Sequence, residues 1–528
     1  MFYFIPSWYN SDQKWHNEAP IWYRVLENMT FDDTVSQVRM FQNADEEVRL
    51  LLFSYNPQLR YMLHEESMLA VSYWSFFDDI QNIQQKEIKL INFKELNWPK
   101  GTYFVYTPFL VLAKHGGEII ARIQFAENGN LLLIELLIDG VLDKIMIFDD
   151  RGFVSSIKYF KQNRLIYQDY LNQNGVWQIR EYASKFPRIV VNPMSDKVFN
   201  FTEYDDWDTL IRERILVLKK LEVTPDDYII VAVNDIHNNL VRKSFPDQKK
   251  IFSFFGERYS FDNRLDFNEL LDEGELFIAE SEKIERLLIT SLQEKNYSSN
   301  YVENHISRIP PFDTRLRLGQ SQNIEELIAY LLVDDLSQTY LSEVLDQLLA
   351  KMEVNPSLEL KIVSYKNDYD MTSLKEQVKD KILSSKNPDY FFTSLSLEDE
   401  NHFKEEQKTK IRGISFDIYT NENQIIDALD TLDTARLVID LRDDPDLYTQ
   451  IAALSSGIPQ INKVHTNYVE HQKNGWIISD STELNNAIDY YFDGLMNWNK
   501  SLVYSVKKMG DYTSGKILQR WRKLLEKE

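Results

Sequence analysis

The sequence contains no cysteine. That excludes a disulfide framework, a thiolate nucleophile and a Cys-ligated zinc site. No apolar run reaches the roughly 18 residues that a bilayer-spanning helix needs. Met1 to Trp22 has aromatic residues but neither a basic stretch nor a long apolar core, so it does not read as a signal peptide. The expected compartment is the cytoplasm. Phosphate-cradling glycine loops and the Gly-x-Ser-x-Gly elbow of hydrolases are missing too. Basic residues are the minority: 59 Lys and Arg stand against 82 Asp and Glu, a net charge of −23. Non-specific nucleic-acid binding runs on neutralised phosphates, so no nucleic-acid partner is expected. The eight His, His465 and His471 among them, show no two-His helix spacing with a nearby Glu. No metal site is expected from them. Three Asp-x-Asp triplets occur, at Asp206, Asp368 and Asp444. In so acidic a chain they fit surface loops better than a metal-diphosphate site.

What is present is core material. Apolar residues make up 43% of the 528, and 29 Tyr and 30 Phe suggest β-rich packing. The length exceeds one domain of roughly 100–200 residues, so two or three are expected. Phe2 to Pro6 reads as a strand, Phe31 to Phe41 as a helix, Val48 to Tyr55 as a strand and Pro57 to Leu63 as a helix start. That alternation predicts a parallel sheet with covering helices. The loop Pro6 to Asn10 has no glycine and reads as a loop under a domain interface. From Thr102 to Val191 short strands alternate with turns such as Asn128-Gly129-Asn130, Asp139-Gly140, Asp150-Arg151-Gly152 and Asn174-Gly175. This is the spacing of an antiparallel meander. The α/β pattern resumes after Pro193. Ile309-Pro310-Pro311-Phe312 reads as a linker, because paired prolines forbid helix.

Near the C-terminal end, Leu437 to Leu441 predicts a buried strand and Leu447 to Ser455 a helix stopped at Gly457-Ile458-Pro459. Gln460 to Asn462 and Gly475 to Ile478 read as further strands, and Asp480 starts another helix. Leu502 to Glu528 carries an apolar stripe of Ile517, Leu518, Trp521, Leu524 and Leu525. Around it lie Lys507, Lys508, Lys516, Arg520, Arg522, Lys523 and Lys527. A helix packed on a core explains the stripe. Contact of Lys516, Arg520, Trp521, Arg522 and Lys523 with an anionic membrane or an acidic partner is the sharper alternative.

The run Ala452 to Pro459 resembles the signature of retaining GT-B glycosyltransferases. Asp149 to Phe160 resembles the meander inserted in the glycosyltransferases that modify serine-rich repeat adhesins. The whole pattern, including Phe2-Tyr3-Phe4-Ile5-Pro6-Ser7-Trp8, is similar to the family of first accessory secretory proteins of the accessory Sec system. The resemblance implies an α/β, GT-B-like fold: two Rossmann-type domains facing a cleft, with an antiparallel β-meander inserted in the first. It sets boundaries at 1–95 and 196–308 for the first domain, 96–195 for the meander, 309–500 for the second domain and 501–528 for a basic amphipathic helix crossing back.

It also implies a changed site. The acidic positions that serve a sugar nucleotide in the enzymes fall on Asp444 and Ala452, and a methyl group cannot hold ribose hydroxyls. The Arg and Lys that offset pyrophosphate charge fall on Asp335 and Tyr340. No catalytic residue and no cofactor are expected. The implied function is a non-catalytic component of the accessory Sec system. Its implied partners are two other accessory secretory proteins, the accessory translocation ATPase, a glycosylated serine-rich repeat adhesin and an anionic membrane surface. Its implied place is the cytoplasm, peripheral at the membrane face. An active sugar-nucleotide-dependent transferase acting on the adhesin is the alternative.

Overall fold

The computed structural model describes residues 1–10, 14–18, 32–256, 258–311, 319–366, 368–394, 412–419 and 432–526. Phe31, Phe312 and Lys527, drawn above into a helix, a linker and the basic tail, lie outside them. The chain forms two compact units, one made mainly of Asp32–Glu280 and the other mainly of Ile309–Glu528.

The first unit holds two sheets. Strands β1 (Phe2–Ile5), β2 (Val48–Leu52) and β3 (Ser72–Ser75) come first. Ten meander strands follow: β4 (Tyr103–Tyr106), β5 (Val111–His115), β6 (Glu118–Phe125), β7 (Leu131–Ile138), β8 (Val141–Asp149), β9 (Phe153–Lys161), β10 (Arg164–Leu171), β11 (Trp177–Tyr182), β12 (Ile189–Val191) and β13 (Glu203–Tyr204). Then β14 (Tyr228–Ala232), β15 (Lys249–Phe254), β16 (Leu276–Ala279) and β17 (Ile306–Arg308) complete the parallel sheet, in the order β17-β16-β15-β14-β1-β2-β3. Its middle strands are apolar on both faces, as helices covering both sides require; Phe4, Leu50, Ile230 and Phe252 are buried. The ten other strands pair antiparallel in sequence order.

The meander turns obey local chemistry. Asp139-Gly140 and Gln162-Asn163 both have left-handed φ at two successive residues, the geometry of tight hairpin turns. Strand β5 had no counterpart in the sequence pattern. Its turn, Thr107-Pro108-Phe109-Leu110, has none of the Gly or Asn that marks the other hairpins, so the pattern passes from the strand Tyr103 to Tyr106 directly to Glu118 to Phe125.

The β8–β9 corner is tied to the parallel sheet by buried charges. Arg60, in the helix after β2, donates from Nε to Asp150 (2.5 Å) and from Nη2 to Asp149 (3.1 Å). Arg151 donates to Asp149 (2.7 and 2.8 Å) and, across the junction, to Asp78 after β3 (2.7 and 2.9 Å). Gly152 has φ 92°, and a Cβ there would lie 1.6 Å from the Lys89 carbonyl oxygen. Only glycine fits that approach. The Asp149-Asp150-Arg151-Gly152 motif that carried the resemblance is therefore the anchor of the insertion.

Among the described residues the second unit has seven parallel strands: β18 (Leu327–Leu332), β19 (Leu358–Ser364), β20 (Phe391–Ser394), β21 (Arg412–Ile418), β22 (Leu437–Asp440), β23 (Gln460–Asn462) and β24 (Gly475–Ile477). Their order is β20-β21-β19-β18-β22-β23-β24. Alternate residues face two cores. Leu331, Ile362 and Ile439 pack with the helix Gln338–Val354. Tyr330, Leu332 and Val438 pack with Ala453 of the helix Leu447–Ser456. The C-terminal segment, expected as one helix from 501, is two: Leu495–Met509 and Ser514–Leu525, broken at Gly510–Tyr512.

Candidate functional site

In a doubly wound sheet, ligands bind beyond the C-terminal strand ends, where helix N-termini offer N–H groups. In the second unit those ends carry three carboxyl groups. Asp334, after β18, accepts from the Ser364 hydroxyl (2.5 Å) and the Tyr365 N–H (2.8 Å). Asp440, the last residue of β22, accepts from Arg442 Nε (2.8 Å) and Nη2 (2.6 Å), and from the Asp446 N–H (2.8 Å). Asp446 caps the helix Leu447–Ser456 by accepting from the Thr449 N–H (2.7 Å). Above them the Tyr365 hydroxyl bonds to those of Thr449 (2.9 Å) and Tyr330 (3.0 Å).

The electrostatics follow. Burial pushes the Asp446 carboxyl up, Arg442 pulls it down and Asp440 adds to the rise; the net shift is upward. Burial would discharge Arg442, but Asp440 holds it charged. Asp334 and Asp440 are each only 1% exposed. The Arg442 guanidinium thus bonds to Asp440, and Asp446 and Asp334 add weaker attraction from nearby.

The first unit closes its strand ends likewise. Asp33 accepts from Arg258 Nη1 (2.5 Å) and Nη2 (2.8 Å) and from the Ser253 hydroxyl (2.7 Å). Ser7 accepts from Asn234 Nδ2 (2.6 Å), and Tyr9 bonds to His237 Nδ1 (2.8 Å). Burial pushes the His237 pKa down to about 3, so the ring is neutral. Its Nε2–H is then assigned to the Ala232 carbonyl (2.8 Å).

The four aligned positions lie apart in role. Asp335 sits in a left-handed turn (φ 57°), and its exposed carboxylate pairs with Lys366 (2.5 Å). Tyr340 is in the first turn of its helix; its buried hydroxyl has no partner among the described residues. Asp444 is an exposed loop residue two positions before the Asp446 cap. Ala452 packs on the Tyr330–Val438 cluster. The residues that fill the strand ends are instead Asp334, Tyr365, Asp440, Arg442 and Asp446.

The Asp-x-Asp triplets are not simple surface loops. Asp206, Asp370 and Asp446 each cap a helix. Acidic residues before a helical pattern were the available signal. Gly457 (φ 74°) ends the helix as a left-handed cap, so Gly457-Ile458-Pro459 is a helix stop leading into β23.

In the tail, Trp521 is fully buried beside Ile517, Leu518 and Leu524. That removes it from any surface set. Arg520 stacks on Tyr512 and donates to the Asp511 carbonyl (3.2 Å), while Lys516, Arg522 and Lys523 are exposed. Among the described residues no helix is long and apolar enough to cross a membrane, and no cluster of His, Asp and Glu could hold a metal.

The family model for accessory Sec system protein 1 matches residues 1–528. The chain belongs to that family. A curated member from Streptococcus gordonii is 36% identical, over 100% of this chain and 99% of that one. Two solved relatives span the whole chain. One, in a Glycosylation Associate Protein complex from Streptococcus agalactiae, is 38% identical, with 100% of both chains covered and a TM-score of 0.74. The other, from a structure of accessory secretory proteins 1, 2 and 3 of Streptococcus pneumoniae, is 30% identical, with 100% of this chain and 99% of that one covered and a TM-score of 0.75. Family membership assigns the chain a role in the accessory Sec system. The fold is also that of GT-B glycosyltransferases. A pneumococcal O-GlcNAc transferase with UDP and GlcNAc matches with a TM-score of 0.64 at 14% identity, covering 100% of this chain and 98% of that one.

Proposed function

We propose that the chain is a non-catalytic binding component. It assembles with two other accessory secretory proteins in the cytoplasm. The assembly supports export of glycosylated serine-rich repeat adhesins to the accessory translocation ATPase. The observation that carries this reading is the strand end of the second unit, where Asp440 pairs with Arg442 and Asp334 and Asp446 add further acidic charge beside it. A transferase must offset the charge of a departing diphosphate, and carboxylates do the opposite. Binding needs complementary surface only. The solved relatives in multi-protein structures support the partner assignment.

Calorimetric titration with UDP and UDP-N-acetylglucosamine should give no saturable heat up to about 1 mM, equivalent to binding weaker than about 4 kcal/mol. Micromolar binding with sugar turnover that Asp444→Ala abolishes would instead establish the transferase alternative. Lys516, Arg522 and Lys523 form the exposed part of the tail that meets an anionic membrane. Co-sedimentation with phosphatidylglycerol vesicles should weaken when all three are changed to Ala. Equal vesicle binding by the folded triple variant rejects the contact.

A further inference from the structure

The two edges of the ten-stranded sheet are built differently. At one edge β13 is only two residues long and opens on Glu203. Its Tyr204 is buried and donates to Glu213 of the helix Trp207–Glu222 (2.5 Å). At the other edge β4 has β5 as its one strand neighbour among the described residues. The Thr107 N–H donates to the Leu110 carbonyl at their turn (3.0 Å). Antiparallel alternation then turns the backbone N–H and C=O of Phe104 and Tyr106 away from β5.

Proteins guard such edges with lysine, proline or a bulge. Strand β4 has none of these, and Thr102 to Ala113 contains no charged residue. Tyr103 is 48% exposed, Val105 38% and Tyr106 60%. Lysines frame the strand. Lys94 lies over the Tyr106 ring (5.4 Å), Lys114 is paired with Tyr103 across the ladder, and Lys100 precedes it. In a chain of net charge −23 this is a basic, apolar edge. A second copy would bring the same excess charge and set lysine against lysine.

We propose that β4 receives an extended strand of a partner protein, with β-branched or aromatic side chains flanked by Asp or Glu. Main-chain hydrogen bonds to Phe104 and Tyr106 supply affinity, and the lysine frame supplies selectivity. This rests on the reading that the chain works in an assembly of accessory secretory proteins.

The full chain is mixed with its two partner accessory secretory proteins. Assembly is followed by size exclusion, and amide hydrogen exchange is measured with and without partners. The Phe104 and Tyr106 amides should slow by about tenfold or more in the complex. Val105→Lys and Tyr106→Pro should weaken assembly by about tenfold or more. Tyr106→Pro removes an outward N–H and the exposed ring under Lys94, and both variants should keep the circular dichroism of the parent. Val141→Lys, on the exposed β7–β8 turn, should assemble like the parent. A complex that forms with unchanged exchange at Phe104 and Tyr106 overturns the edge inference and leaves the assembly reading standing. No complex at all overturns both. A dimer of the chain alone, lost in Val105→Lys, gives the edge to a second copy and overturns the proposal.

Discussion

Replacing Arg60 with Met should lower the stability of the first unit by about 3–5 kcal/mol, the usual cost of leaving a buried charge without its partner. Arg60 Nε is the side-chain cation on Asp150, whose side chain is 3% exposed. Without it, Asp150 keeps the backbone N–H groups of Arg60 (2.8 Å) and Tyr61 (3.1 Å) alone. The two adjacent carboxyls divide the charge unequally. Burial pushes Asp150 up to about 6 against the pull of Arg60. Burial also raises Asp149, but Arg60 and Arg151 together bring it below the usual carboxylate range. As pH falls below about 6, Asp149, flanked by both guanidiniums, is the one that stays ionised.

The sign of the pH dependence follows from Asp150. A carboxyl raised in the folded state contributes stability that is present below its unfolded pKa, near 4, and lost as pH rises through about 6. Removing Arg60 raises the folded pKa further. The deficit of Arg60→Met should therefore be largest near pH 8 and shrink toward pH 5. Hydrogen exchange of the β8 and β9 amides, read alongside urea unfolding, measures both. A deficit under about 1 kcal/mol at pH 8 would place this junction among weak surface pairs.

Asp440→Ala should cost the second unit nearly as much, about 3 kcal/mol. The Arg442 side chain is only 10% exposed and loses both of its acceptors on Asp440. The Asp446 N–H loses its acceptor too. Asp446 and Asp334 still attract the guanidinium, which puts the loss toward the low end of the range for broken buried pairs. Asp440→Asn keeps an acceptor oxygen without the charge, and should fall between parent and Ala. Exchange of the Leu437–Asp440 and Leu447–Ser456 amides reports it. Parent-like protection in Asp440→Ala would mean that water, and not Asp440, balances Arg442.

The parallel sheets were legible because their evidence is local. Apolar runs such as Tyr228–Ala232 and Leu437–Asp440 have the length and flanks of buried strands, whatever their neighbours. Hairpin turns such as Asp139-Gly140 carry their backbone preference in their own residues. The apolar β4–β5 turn lacks that polar punctuation, so the strand behind it was not legible. That Ala452 stands where a ribose ligand would be is what the resemblance implies. The carboxylates gathered at the strand ends were not legible, because no local pattern ties Asp334 to Asp440.

By itself the sequence determined the element types, the meander, the helix stop at Gly457 and the membership that its resemblances implied. The tertiary structure alone decided what meets at the strand ends. β18 lies beside β22 although β19, β20 and β21 come between them in the chain. That strand order brings Asp334 near the Asp440–Arg442 pair and the Asp446 cap. It alone decided that Trp521 is core while Lys516 is surface, and that among the described residues the sheet ends on the four-residue β4 at one edge and the two-residue β13 at the other. The physical reason is common to all three. Secondary structure follows from backbone preference and periodicity within a few residues, whereas charge balance, burial and edge pairing depend on which distant segments pack together.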